Sequence, residues 1–118
     1  MPRPCMTLIV AGALALPVAA AADVEVLRGE FVHGAQVSLF EPCGVDEALW
    51  LLEDGESAAY LVAAHTELTT TAYEGVYAEL SAERVPNDNV FGVPAEYDAL
   101  LAVEAVYEVR PLPQPDCR

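Results

Sequence analysis

The chain has 118 residues, 54% of them hydrophobic, with nineteen Asp and Glu against five Arg, no Lys, and a formal net charge of −14. Phosphate backbones and anionic lipid headgroups are held by Lys and Arg that displace counterions, so nucleic acid is excluded as a partner and anionic membranes are poor ones. The acids are spread along the chain, which reads as a solvated surface before it reads as a cation-collecting one.

The first 22 residues have the layout of a cleavable export signal. Arg3 supplies a positive start, Thr7 to Leu16 is an unbroken apolar stretch, Pro17 interrupts it, and Ala20, Ala21 and Ala22 form a small-residue cleavage site before Asp23. A membrane anchor is the competing reading, but Met6 to Ala22 is only 17 residues, at the lower edge of the roughly 17–25 a spanning helix needs. No Cys stands at the cleavage position for lipid attachment, because Cys5 precedes the apolar stretch. Removing 22 of the 118 residues leaves 96, one domain from 23 to 118 with no stable membrane anchor, and with four Arg against nineteen acids its net charge is −15.

The mature part then alternates. Asp23 to His33 reads as a strand, with Val24 and Val26 between acids and Phe31 and Val32 after Gly29. Gly34 marks a tight turn, where a positive φ is expected. Ala35 to Phe40 is a second strand, Val37 and Leu39 on one face and Gln36 and Ser38 on the other; Pro42, Cys43 and Gly44 end it, and Ala48 to Leu52 is a short third strand. After the turn at Glu53, Asp54 and Gly55 the period changes, and the Ala-rich run from Ser57 to Thr69 suits a helix. Asp54 or Ser57 is its expected N-cap, and His65 is expected on its polar side. Val76 to Val85 sets Val76, Ala78, Leu80 and Ala82 against Tyr77, Glu79, Ser81 and Glu83. Ala99 to Val109 sets Leu101, Val103, Ala105, Tyr107 and Val109 against Ala102, Glu104, Val106 and Glu108, which assigns Tyr107 to the core. The tail carries Pro111, Pro113 and Pro115 and brings Cys117 back to the body.

Five strands with one helix between the third and fourth suit a mainly β, five-stranded Greek-key barrel of the OB type; a short α+β sheet is the competitor. At this level Gly29, Phe31, Ala35, Phe40, Cys43 and Gly44, followed by a helix around Tyr60, the strand Gly75 to Leu80 and the closing strand Leu101 to Val106, resemble the C-terminal OB domain of NlpE-like envelope lipoproteins. The resemblance runs from Gly29 to Val109 and implies a Gram-negative periplasmic location and a part in envelope sensing rather than catalysis. The lipid-attachment Cys and the CxxC pair of that family are missing here, so its metal and stress-signalling roles do not carry over.

Export leaves two cysteines, Cys43 and Cys117, which an oxidising compartment is expected to join; a redox-responsive bond and free or intermolecular thiols are the alternatives. His33 and His65 have no further His or Cys at ligand spacing, and neither Glu53 to Glu56 nor Asn87 to Asn89 has the alternating oxygen ligands of a calcium loop, so no metal site and no cofactor is indicated. No nucleophile elbow is present, and the chain reads as a non-enzyme. Tyr77, among Glu79 and Glu83, is the candidate for a binding surface, and a protein, peptide or neutral glycan is the compatible partner. The expected function is an exported OB-like module, periplasmic or secreted, that binds or senses an envelope component; the alternative is a divalent-cation-binding protein using its acidic surface.

Overall fold

The computed structural model describes residues 23–112, so the expected leader, residues 1–22, and Cys117 lie outside the described residues. Among the described residues five strands and one helix follow in order: β1 (Val24–His33), β2 (Ser38–Pro42), β3 (Leu49–Leu51), α1 (Glu56–Leu68), β4 (Val76–Val85) and β5 (Ala99–Pro111), with a 3₁₀ turn at Val93–Glu96 between the last two strands. The sheet closes in the order β1-β2-β3-β5-β4, β4 returning to β1. Every pairing is antiparallel except that of β3 with β5, where Leu49 to Leu51 run alongside Ala99 to Leu101. This is the expected five-stranded OB-like barrel with one helix between the third and fourth strands.

β1 is long because it serves two partners. Its first eight residues pair with β4 and its last five with β2, the two ladders overlapping from Gly29 to Phe31. Glycine is required at that overlap: a Cβ on Gly29 would run into the Glu41 carbonyl and the Phe40 ring. The core is built from Leu27, Phe31, Phe40, Leu49, Leu51, Leu61, Val76, Leu80 and Leu101, with Ala58, Ala78 and Ala82 filling narrow places. α1 lies against β5 and β1 and buries Ala58, Leu61 and His65. Its small residues let it sit close, and Ser57 Oγ fastens its first turn by donating to the Glu104 carbonyl at 2.8 Å.

Several local expectations are corrected. Neither Asp54 nor Ser57 caps α1; its N-cap is Gly55 at φ 102, with no side-chain cap, and Gly55 O accepts from Ala59 N at 3.1 Å. In β2 the inward residues are Ser38, Phe40 and Pro42, not Val37 and Leu39. Burial of the Phe40 ring sets the phase, and Ser38 follows it inward because its hydroxyl finds partners there. In β5 the register slips twice against β4: Glu79 faces Glu108 but Leu80 faces Val106, and Ser81 faces Ala105 but Ala82 faces Val103. Tyr107 and Glu104 are the extra residues of two bulges. Each bulge shifts the inward phase by one, so Ala99, Leu101, Val103, Val106 and Val109 pack on the core while Tyr107 is 60% exposed.

Arg84 on β4 is the main cationic tie. Its guanidinium takes Glu47 of the β2–β3 connection in a fork, Nε to Oε2 at 2.9 Å and Nη2 to Oε1 at 2.7 Å, and Nη1 pairs with Glu25 of β1. Hydrogen bonds to Glu47 first, then Glu25, hold its proton more firmly than on a free guanidinium.

The bulged register predicts an ordering that simple alternation reverses. Leu101→Ala should cost about 2–5 kcal/mol in urea unfolding, and Tyr107→Ala within about 0.5 kcal/mol; a Tyr107 loss comparable to that of Leu101 would refute the register.

Candidate functional site

Two histidines far apart in the chain meet at the end of the barrel formed by the β1–β2 turn and the C-terminus of α1. His33 is two residues after Phe31 on β1 and so shares its face; the rings stack at 6.2 Å. His65 follows Ala58 and Leu61 at helical spacing, which places it on the buried face of α1, at 2% exposure. This corrects the expected polar-side placement. Its ring meets Phe31 edge-on at 5.5 Å and His33 at 5.9 Å between centroids, with the two imidazole planes 78° apart.

Hydrogen bonding assigns the tautomers. The Ser38 hydroxyl donates to Glu53 Oε2, which uses its only proton. The 2.6 Å contact of His33 Nδ1 with Ser38 Oγ therefore has the imidazole as donor, and neutral His33 keeps its lone pair on Nε2. His65 Nε2 lies 2.5 Å from the Glu74 carbonyl, which can only accept, so neutral His65 keeps its lone pair on Nδ1. Ser38, His33 and Glu53 are the residue types of a nucleophilic triad in the wrong order: the serine lies between the other two and is 1% exposed, so it presents no nucleophile.

A cleft of about 360 Å³ opens over the pair, lined by His33, Ala35, His65, Thr66, Thr69 and Ala72 among others. Its rim is the segment between α1 and β4. Glu74 Oε1 accepts from Thr70 N at 3.1 Å and Thr71 N at 3.4 Å, and these bonds, Thr70 first, hold its carboxyl below the usual range. Tyr73 adopts φ 69, donates from its N to the His33 carbonyl at 3.0 Å, and its hydroxyl accepts from Gln36 N at 3.1 Å. Gly34 is not among the positive-φ glycines; a Cβ there would strike the Tyr73 ring, so the glycine makes room for this cover.

The opposite end carries the β2–β3 and β4–β5 connections. Here Asn87 Nδ2 donates to the carbonyls of Pro94 at 3.2 Å, Ala95 at 3.4 Å and Tyr97 at 2.7 Å, gathering the loop around its own base. Tyr97 packs edge-on against Trp50 of β3 at 5.2 Å, and Asp98 exchanges two hydrogen bonds with Ala48, N to O at 3.0 Å and Oδ2 from N at 2.8 Å. At the far side of this anchored loop Phe91 is 92% exposed, beside exposed Val93. A second cleft of about 350 Å³ at this end is lined by Glu30, Glu41, Asp46, Glu47 and Asp98 with Cys43. Glu30 and Glu41 face each other directly across β1 and β2, and neither has an ion pair among the described residues. Burial first, then Glu41, pushes the Glu30 carboxyl above its usual range.

The surface role expected of Tyr77 is corrected: it is 4% exposed, because Arg110, its partner in the β4–β5 register, lays its guanidinium 4.1 Å over the ring. Cys43 is half-buried just after β2, its N donating to the Arg28 carbonyl at 2.7 Å, while Cys117 lies outside the described residues. Among the described residues no group of three or more His, Cys, Asp or Glu is gathered for a metal ion, and no helix is long and apolar enough to cross a membrane. Comparison with protein-family models, with curated proteins and with solved structures gave no match.

Glu30 has its proton affinity raised by folding, so the stability tied to it is full at acid pH and is lost as pH rises through its folded-state titration. Glu30→Gln should therefore stabilise the protein at pH 7 and make no difference where wild-type Glu30 is already protonated. Urea unfolding of both proteins across that range measures the difference, and a destabilised Gln variant at pH 7 would contradict the raised proton affinity that burial and Glu41 give Glu30.

Proposed function

We propose that this chain is an exported, non-enzymatic OB-like module that docks on a protein or peptide of the cell envelope through its β4–β5 loop. The observation that carries this reading is Phe91, a large apolar side chain held 92% exposed on a loop whose base is fixed by Asn87, the Trp50–Tyr97 contact and Asp98. An exposed aromatic on a loop ordered in advance loses little freedom on binding, and buried aromatics of this kind supply much of the energy of interfaces. Asp88, Glu96 and Asp98 on the same loop are exposed, so the complementary surface is an apolar pocket with a basic rim. Such a partner suits a chain of this charge better than a nucleic acid does.

The export signal supports an envelope or extracellular location, and the resemblance to NlpE-like domains supports a binding or sensing role there. In an oxidising compartment Cys43 and Cys117 form the one disulfide of the mature chain and staple the proline-rich tail to the end of β2. Closing so long a loop is worth roughly 4 kcal/mol in the chain-entropy description.

Immobilised wild-type protein should retain a specific component from an envelope extract, and Phe91→Ala should lose it with an unchanged melting temperature. Equal retention by Phe91→Ala would overturn the loop as the docking site. Intact-mass analysis of the exported protein should show a chain that starts at Asp23 and lacks two hydrogens; a retained Met1, or two alkylatable thiols in unreduced material, would remove the export and pairing parts of the reading.

A further inference from the structure

We propose that the cleft between His33 and His65 is a binding site for a borderline divalent transition-metal ion, of the Zn²⁺ class, held by His33 Nε2 and His65 Nδ1. Both rings line the cleft, and each has one nitrogen engaged with the protein and one with no protein partner among the described residues. The engaged nitrogens are both donors, so the remaining pair are both lone-pair donors to a metal. The supporting partners are those that orient metal-binding imidazoles elsewhere: a backbone carbonyl for His65, and a hydroxyl backed by a carboxylate for His33. Spacing agrees as well. Two imidazoles sharing one ion at N–metal distances of about 2.0–2.1 Å have centroids roughly 5–6 Å apart, and these lie 5.9 Å apart.

The chemistry of the lining selects the ion class. Among the described residues no Arg lines the cleft to hold a phosphate or carboxylate, and no carboxylate lines it to hold calcium or magnesium, which require oxygen ligands. Nitrogen donors with threonine hydroxyls beside them favour a borderline ion. With no third His, Cys, Asp or Glu gathered there among the described residues, the other positions of the ion are open to water or to a ligand of the cleft. Affinity is then weaker than that of a closed four-ligand structural site.

The test is a titration of the full exported protein with ZnCl₂ alone, followed by calorimetry and by ¹⁵N resonances of the imidazoles, with CaCl₂ and MgCl₂ in parallel. One Zn²⁺ per chain is expected, moving His33 Nε2 and His65 Nδ1 while Ca²⁺ and Mg²⁺ leave them in place. His33→Gln should weaken Zn²⁺ at least tenfold. Glu53→Gln, which leaves both ligands, should weaken it by about 10–100-fold. His65→Gln removes a buried hydrogen bond and could unfold the chain, so His33→Gln and the wild-type resonances decide. Zn²⁺ binding of unchanged strength in His33→Gln, equal binding of Ca²⁺, or no Zn²⁺ binding would each overturn the site. The first two would assign cation uptake to the acidic surface, and none of the three bears on docking through Phe91 at the other end of the barrel.

Discussion

Three residues of parallel pairing, Leu49 to Leu51 against Ala99 to Leu101, turn a meandering sheet into a closed barrel. Parallel neighbours cannot be joined by a hairpin. The chain between them must travel, and it does so through α1, β4 and the long β4–β5 loop. Closure therefore fixes α1 against β5 and β1, and with it the position of His65 beside Phe31 and His33. It also sends the β4–β5 loop to the opposite end, where it is tied down through Asp98 and Ala48 at the start of that same ladder. The short ladder and the two candidate surfaces are parts of one topological solution.

Charge is the second constraint. With nineteen acids and five arginines, few carboxylates can have a cation of their own. Arg84 is spent on two of them, Glu25 and Glu47, where it relieves repulsion between β1 and the β2–β3 connection. Exposed ion pairs contribute little to stability singly, and this pair of contacts matters chiefly for placing the connection that precedes β3. Glu30 and Glu41 have no such relief among the described residues, and their direct opposition is a local conflict of the kind that proteins retain at surfaces that meet something else.

Architecture was legible in the residues wherever alternation was clean. β4 begins and ends at the expected residues, because Val76, Ala78, Leu80 and Ala82 alternate without interruption. β5 was legible as a strand but not in its phase past Val103, because a bulge inserts a residue that periodicity does not announce. Ser38 entered the core against its polarity for a reason that only the fold supplies, the nearness of Glu53 and His33. The histidine pair had a signal that was available: Phe31 and His33 at a spacing of two, and Ala58, Leu61 and His65 at helical spacing. What no spacing could show is that α1 would bring the second set onto the first. Tyr77 illustrates the converse, since its polar-face position in β4 was visible but its cover, Arg110, stands 33 residues later, on β5.

The β3–β5 ladder closes the barrel and thereby brings His33 and His65 together. Through-space proton contacts in solution NMR test it in one experiment. Closure predicts cross-peaks between Leu49 to Leu51 and Ala99 to Leu101 in parallel register, together with cross-peaks between the two imidazole rings. A sheet in which Leu49 to Leu51 show contacts only to β2, with the two histidine rings out of reach of each other, would contradict it.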